Sequence, residues 1–209
     1  MRSLDLEQTA SGGNMARDVI KEGYTRVTEI LRPYSGFDNA PEFVKEKAAH
    51  KAMIGSLVHD AIHMHYECIP FYPLEEECGG YYDSFQQWES HTGAWARGME
   101  NRYYDDVLKI TGQIDALMKF PDEDSLIMVD WKTSSSWNKK METSWSLQGT
   151  FYHHLLIENN LSNISERFLF IQLDPNGKMP QIREFTYTAE EMGNCMAALQ
   201  IYRRFNPLK

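Results

Sequence analysis

The chain has 209 residues, 42% of them apolar and 12% aromatic, which suffices for one domain with a hydrophobic core. Its formal charge of −9 excludes a protein that coats nucleic acid through general electrostatics, since such affinity comes from many Lys and Arg contacts to phosphate. No run approaches the ~20 apolar residues of a membrane span and no export signal opens the chain, so a cytosol-like compartment and no membrane partner are expected.

Residues 1–23 read as a flexible N-terminal segment, with Ser11-Gly12-Gly13-Asn14 resembling a frayed end or an expression remnant, and residues 24–209 as a single domain. A short apolar stretch, 24–32, ends at Pro33, and Pro33 to Pro41 forms a loop rich in Gly, Pro, Asp and Asn. Helical spacing runs from Glu42 to about Tyr66, with Phe43, Ile54, Leu57, Val58, Ala61 and Ile62 as its apolar stripe. Prolines, glycines and the run Glu75-Glu76-Glu77 make 68–80 a connection, followed by a weaker helix over 81–96. Strands are expected at 101–109, 112–120 and 125–133, a helix at 145–159, and strands at 166–173 and 181–187 around the turn Asp174-Pro175-Asn176-Gly177. A last helix begins after Thr188, an N-cap with Glu191 three residues on. The order gives an α/β domain with a central mixed β-sheet flanked by helices on both faces.

The chemistry concentrates around the polar turn Pro121-Asp122-Glu123-Asp124. If the two strands pair symmetrically about it, partner numbers sum to 245 and Asp115 faces Asp130, their Cβ atoms ~4.5–5.5 Å apart. Lys132 shares the face of Asp130, two residues along the strand. Two facing carboxylates among Ile, Leu, Met and Val repel each other and lose hydration, so they need a cation or a proton. Oxygen ligands favour Mg²⁺ or Mn²⁺, which take phosphate oxygens as further ligands, and Lys132 could then orient water or offset charge on a phosphorane-like transition state. Lone Asp residues usually cap turns and Asp–Lys pairs at i, i+2 usually line solvated edges. Here both close an apolar run, Leu126-Ile127-Met128-Val129.

Taken in order, Gly55-x-x-x-His59, Gly112-x-x-Asp115, Asp130-x-Lys132-Thr133 and Gln148-x-x-x-Tyr152 resemble the RecB-like branch of the PD-(D/E)XK nuclease superfamily. Arg26-Val27-Thr28-Glu29-Ile30-Leu31 is similar to the entry strand of its phage and mitochondrial single-strand DNA exonucleases. The resemblance implies a restriction-endonuclease-like core and a metal held by His59, Asp115, Asp130 and the backbone carbonyl of Trp131. It implies that Gln148 and Tyr152, one helical turn apart, contact DNA phosphate or brace Lys132. Relatives with an iron–sulfur cluster carry four cysteines; Cys68, Cys78 and Cys195 have no such spacing and read as reduced thiols, so no cluster is expected. The implied activity is exonucleolytic, on single-stranded DNA ends in replication, recombination or repair, alone or with a separate helicase or recombination protein, in a host cytoplasm if the chain is phage-encoded. Glu100 reads as structural. Trp137, Lys139 and Lys140 offer an aromatic platform and two charges for DNA, and Arg203, Arg204 and Lys209 form a second basic cluster.

Two other readings stand beside this one. His59-Asp60-Ala61-Ile62-His63 mimics the H-E-x-x-H helix of zinc peptidases, with Asp60 too short to serve as the base. A catalytically silent nuclease fold could also act as a binding or inhibitory module. His65, His153 and His154 have no partner spacing that suggests chemistry.

Overall fold

The computed structural model describes residues 20–35, 42–70, 74, 76–134 and 138–208. Phe43 has no described side chain, and residues 1–19, Trp137 and Lys209 lie outside the described set. The elements are β1 (Thr25–Arg26), α1 (Val27–Ser35), α2 (Glu42–Tyr66), α3 (Glu76–Thr92), β2 (Trp95–Asp105), β3 (Ile110–Lys119), β4 (Leu126–Lys132), α4 (Lys139–Glu158), β5 (Ile164–Gln172), β6 (Gln181–Thr186) and α5 (Ala189–Phe205). This is the expected mixed sheet with helices on both faces, a restriction-endonuclease-like α/β fold. None of the described helices is long and apolar enough to cross a membrane.

Several boundaries differ from expectation for identifiable reasons. The stretch similar to an entry strand is extended only at Thr25–Arg26. Val27, Ile30 and Leu31 recur at helical spacing and are all buried, so α1 takes over at once. Helix α3 starts at Glu76 and runs through Gly79 and Gly80; a β-carbon on Gly80 would fall 1.8 Å from the Pro175 carbonyl oxygen. Glycine is there for close approach, not as a breaker. Gly93, at φ +62°, ends α3 instead, and β2 begins two residues later. Residues 106–109, expected in the strand, form the turn into β3, with Lys109 at φ 47°. Helix α4 begins at Lys139 because Asn138 Oδ1 accepts the Met141 N–H at 3.1 Å. Thr188 caps α5 as expected, its Oγ1 accepting the Glu191 N–H at 3.1 Å.

Strand β3 organises the sheet. Along one edge it pairs antiparallel with β2, from Trp95↔Lys119 to Asp105↔Ile110. Its other edge is shared: β1 runs parallel to Ile110 and Thr111, while β4 runs antiparallel to Ala116–Lys119. The pairs Ala116↔Val129 to Lys119↔Leu126 all sum to 245, the register expected for a symmetric hairpin. Residues 112–115 fall between the two partners. Beyond β4 come β5, parallel, and β6, antiparallel.

Two cores lie on opposite faces. Ile110, Ile114, Met128, Phe168 and Phe170 pack with α1, α4 and α5; Ala116, Met118, Ile127, Val129 and Trp131 pack with α2 and α3. Ile114 and Ala116 are two residues apart in one strand yet enter different cores, so the normal alternation of faces is broken between them. The break at Asp115 lies opposite Glu100 in β2, which adopts φ 51°. In α2, Val58, Ala61 and Ile62 are buried as expected, but Leu57 is exposed.

Candidate active site

The site forms where β3 and β4 part. Backbone pairing stops at Ala116↔Val129, and at the next level Asp115 replaces it with its side chain: Oδ2 accepts the Trp131 N–H at 2.8 Å. Asp130 and Lys132 alternate with Val129 and Trp131, so they point to the α4 side while Trp131 packs beneath α2 and α3. Asp130 Oδ2 lies 2.5 Å from Lys132 Nζ, and Oδ1 accepts from Gln148 Nε2 at 2.9 Å. Gln148 Oε1 is 3.4 Å from Lys132 Nζ, so one α4 amide touches both members of the pair.

From the opposite layer α2 brings His59. Its Nε2–H donates to the Trp131 carbonyl at 3.0 Å, and Nδ1 lies 3.4 Å from Asp115 Oδ2 and 3.8 Å from Glu100 Oε1. A helix can approach a strand end this closely because residue 55, one turn before His59, is glycine: a β-carbon there would meet Thr133 Oγ1 at 3.2 Å. His59, Glu100 and Asp115 form the one group of three potential metal ligands among the described residues, with ligand atoms within 4.8 Å. Glu100, read from the sequence as structural, therefore stands in the cluster, steadied by a 2.8 Å hydrogen bond from Gln113 Nε2. The signal that would have found it is register: its strand pairs with β3 so that Glu100 falls opposite Asp115.

The electrostatics of the site favour positive charge among its carboxylates. Burial raises the Asp115 carboxyl, and Glu100 adds to the rise against the pull of His59 and Lys132. Asp130 is pushed up to about 6, by burial and then by Asp115, with Lys132 and His59 opposing. Burial alone would discharge His59, but Asp115, followed by Glu100 and Asp130, raises its pKa to about 9. The imidazolium thus supplies positive charge between the carboxylates. Asp130 Oδ2 is buried and its close partner is the Lys132 ammonium, 2.5 Å away. Three acids, Asp115, Asp130 and Glu100, and a carbonyl oxygen suit a hard divalent ion, with His59 as a nitrogen ligand once it has lost a proton.

The remaining candidates divide. Tyr152 is buried in the α4 core, against Gly112, where a β-carbon would fall 2.6 Å from its ring. Burial, then Asp130 and Asp115, raise its phenol, which places the hydroxyl within the field of the site. Lys139 and Lys140 are exposed in the first turn of α4. Arg203 donates from its guanidinium to the Leu108 carbonyl. His63 lies outside the cluster, 3.8 Å from Glu67, so it makes no two-histidine zinc site with His59. His65 bonds to Tyr82 and Glu89, His153 to the Ser165 carbonyl and His154 to Asp105, all structural partners.

The sheet forks at Asp115, with Asp130, Lys132 and Gln148 gathered beside the fork. The family model described as the PD-(D/E)XK nuclease superfamily matches residues 31–203, and the chain belongs to that superfamily. No curated protein matches the sequence. Among solved structures, the crystal structure of SSO0001 is similar with a TM-score of 0.50 and 12% identity, covering 91% of this chain and 80% of that one. A Eubacterium rectale protein named "Putative exonuclease" gives a TM-score of 0.46 and 13% identity, over 90% of this chain and 83% of its own.

Proposed function

We propose that this chain is a Mg²⁺- or Mn²⁺-dependent deoxyribonuclease with Asp115, Asp130 and Lys132 as catalytic residues, acting as an exonuclease on single-stranded DNA ends in replication, recombination or repair. The observation that carries the nuclease reading is the gathering of the buried carboxylates of Asp115 and Asp130 with Lys132 at the fork, Asp130 Oδ2 lying 2.5 Å from Lys132 Nζ. The exonuclease and single-strand preferences rest on the order of the sequence motifs and their resemblance to single-strand exonucleases.

Asp115, Asp130, the Trp131 carbonyl and His59 would hold the ion, with Glu100 beside them. The ion would polarise the scissile phosphate and lower the pKa of a water. The protein's own groups do the rest. Lys132 orients the attacking water and offsets charge growing on the phosphoryl oxygens. Gln148 keeps the ammonium from swinging away, and Tyr152 supports that helix from within the core. Lys139 and Lys140, at the start of α4, contact phosphates along the strand.

End-labelled linear and circular DNA, single- and double-stranded, would be incubated with Mg²⁺, Mn²⁺ or EDTA. Metal-dependent loss of linear single strands, abolished by Asp130→Ala and by Lys132→Ala, is expected. Binding of DNA with no cleavage under any of these conditions would instead support the silent binding module.

A further inference from the structure

We propose that Gln172 is a positioning residue for this site, a role that rests on the nuclease reading. It ends β5 and is the parallel partner of Lys132. The Leu173 N–H donates to the Lys132 carbonyl at 2.8 Å, a backbone bond that holds the end of β4. Two residues further on, the Gln172 side chain continues the ladder: Nε2 donates to the Ser134 carbonyl at 2.6 Å. Thr133 is thereby held from both sides, directly after Lys132.

The held segment is the surface that α2 meets. Thr133 Oγ1 is the atom a β-carbon at position 55 would crowd, and His59 follows Gly55 by one helical turn. A single amide thus fixes the strand end carrying Lys132 and the surface on which the helix carrying His59 rests. Gln172 sits in line with Phe168 and Phe170 and is only 7% exposed. Its Oε1 and the nearby Ser134 Oγ are buried and have no partner among the described residues. A packing role alone would be served by leucine or methionine, which leave no orphaned oxygen.

The full chain would be compared with Gln172→Met, which keeps the length and removes the hydrogen bond, and with Gln172→Asn, which keeps the amide but falls short of Ser134. Readouts are Mn²⁺ affinity by electron paramagnetic resonance, kcat and KM on single-stranded DNA, and thermal melting. Removing a group that orients ligands from behind costs about 10-fold or more in metal affinity or turnover. Both variants should therefore lose about 10-fold in Mn²⁺ affinity and kcat, with KM for DNA within about twofold and melting of Gln172→Met unchanged. Mn²⁺ affinity and kcat within twofold of wild type, whatever the melting temperature, would overturn the proposal. If the wild type cleaves no DNA the nuclease reading fails, and the Mn²⁺ titration alone decides the role of Gln172.

Discussion

The Trp131 amide donates to the Asp115 carboxylate, not to a backbone carbonyl, and at that point β4 leaves β3. The same peptide strand presents its Trp131 carbonyl to His59. Asp115 therefore has two duties: it satisfies a buried N–H and it offers charge to the site. Asp115→Ala leaves that N–H unpaired, which costs about 1–3 kcal/mol. Asp115→Asn keeps an acceptor. Both should abolish cleavage, but only Asp115→Ala should lower the melting temperature, by roughly 2–10 °C; equal melting of the two would show that the hydrogen bond contributes nothing.

Asp130 follows a different rule. Its pKa rises to about 6 in the folded protein, above the ordinary carboxylate value of 3.8, so the folded state binds more protons between these values and loses stability as pH rises through the interval. Above pH 6 the metal-free protein carries the cost of a buried like-charge pair. Asp130→Asn should eliminate activity and yet raise the melting temperature of the metal-free protein at pH 8 by about 2 °C or more. A lower melting temperature would mean that the ion pair with Lys132 outweighs the repulsion.

Loading the metal should expel a proton. His59 holds its proton up to about pH 9 and must lose it to become a ligand. Apparent Mg²⁺ affinity should therefore climb with pH, about tenfold per unit, and level off above pH 9. Calorimetry at pH 8 in buffers of different ionisation heat should register close to one proton released per ion, and His59→Gln should remove that release.

Away from the site, Asp105 accepts the Val107 and Leu108 N–H groups at 2.8 and 2.7 Å and pairs with His154 at 2.8 Å. Burial would raise its carboxyl, but the Leu108 N–H, His154 and the Val107 N–H together lower it. A depressed folded pKa gives stability that is present above the unfolded value near 3.8 and is lost as pH falls through the folded one. Asp105→Asn should lower melting at pH 7 and flatten the acid limb of a melting-versus-pH curve, with cleavage by the folded protein unchanged.

Close approach makes the last test. Gly112→Ala would drive a methyl group into the Tyr152 ring and Leu155, both in the core. Overpacking of this kind costs about 1–3 kcal/mol. A melting temperature lower by roughly 2–10 °C is expected, together with reduced turnover, because Tyr152 and Gln148 share one helix. Full turnover in the folded variant would separate that helix face from catalysis.

Much of the site was legible because its information is local. Asp115, Asp130 and Lys132 fall in strands of clear apolar pattern around one polar turn, and the symmetric register holds as far as Ala116↔Val129; the expected Asp115–Asp130 pair does not form, because Asp115 turns its carboxylate to the Trp131 N–H instead. His59 and Gln148 needed the family resemblance, since nothing in a helix sequence states which strand it will cross. Glu100 escaped because its strand, Trp-Ala-Arg-Gly-Met-Glu-Asn-Arg-Tyr-Tyr-Asp, lacks alternation; Met99 and Tyr103 enter opposite cores about its left-handed backbone. The start of α3 was hidden for a related reason, as Gly79-Gly80 reads as a break until the Pro175 carbonyl is known to lie against it.

The face exchange at Asp115 has a consequence for how activity arises. His59 comes from α2 on one side of the sheet, while Asp130 and Lys132 are braced by Gln148 of α4 on the other. Neither layer alone supplies a competent set, so a chain in which only one has closed should be inert towards DNA. An ion bound at the fork would join the two halves, and the last layer to fold would set the moment at which the chain can cut.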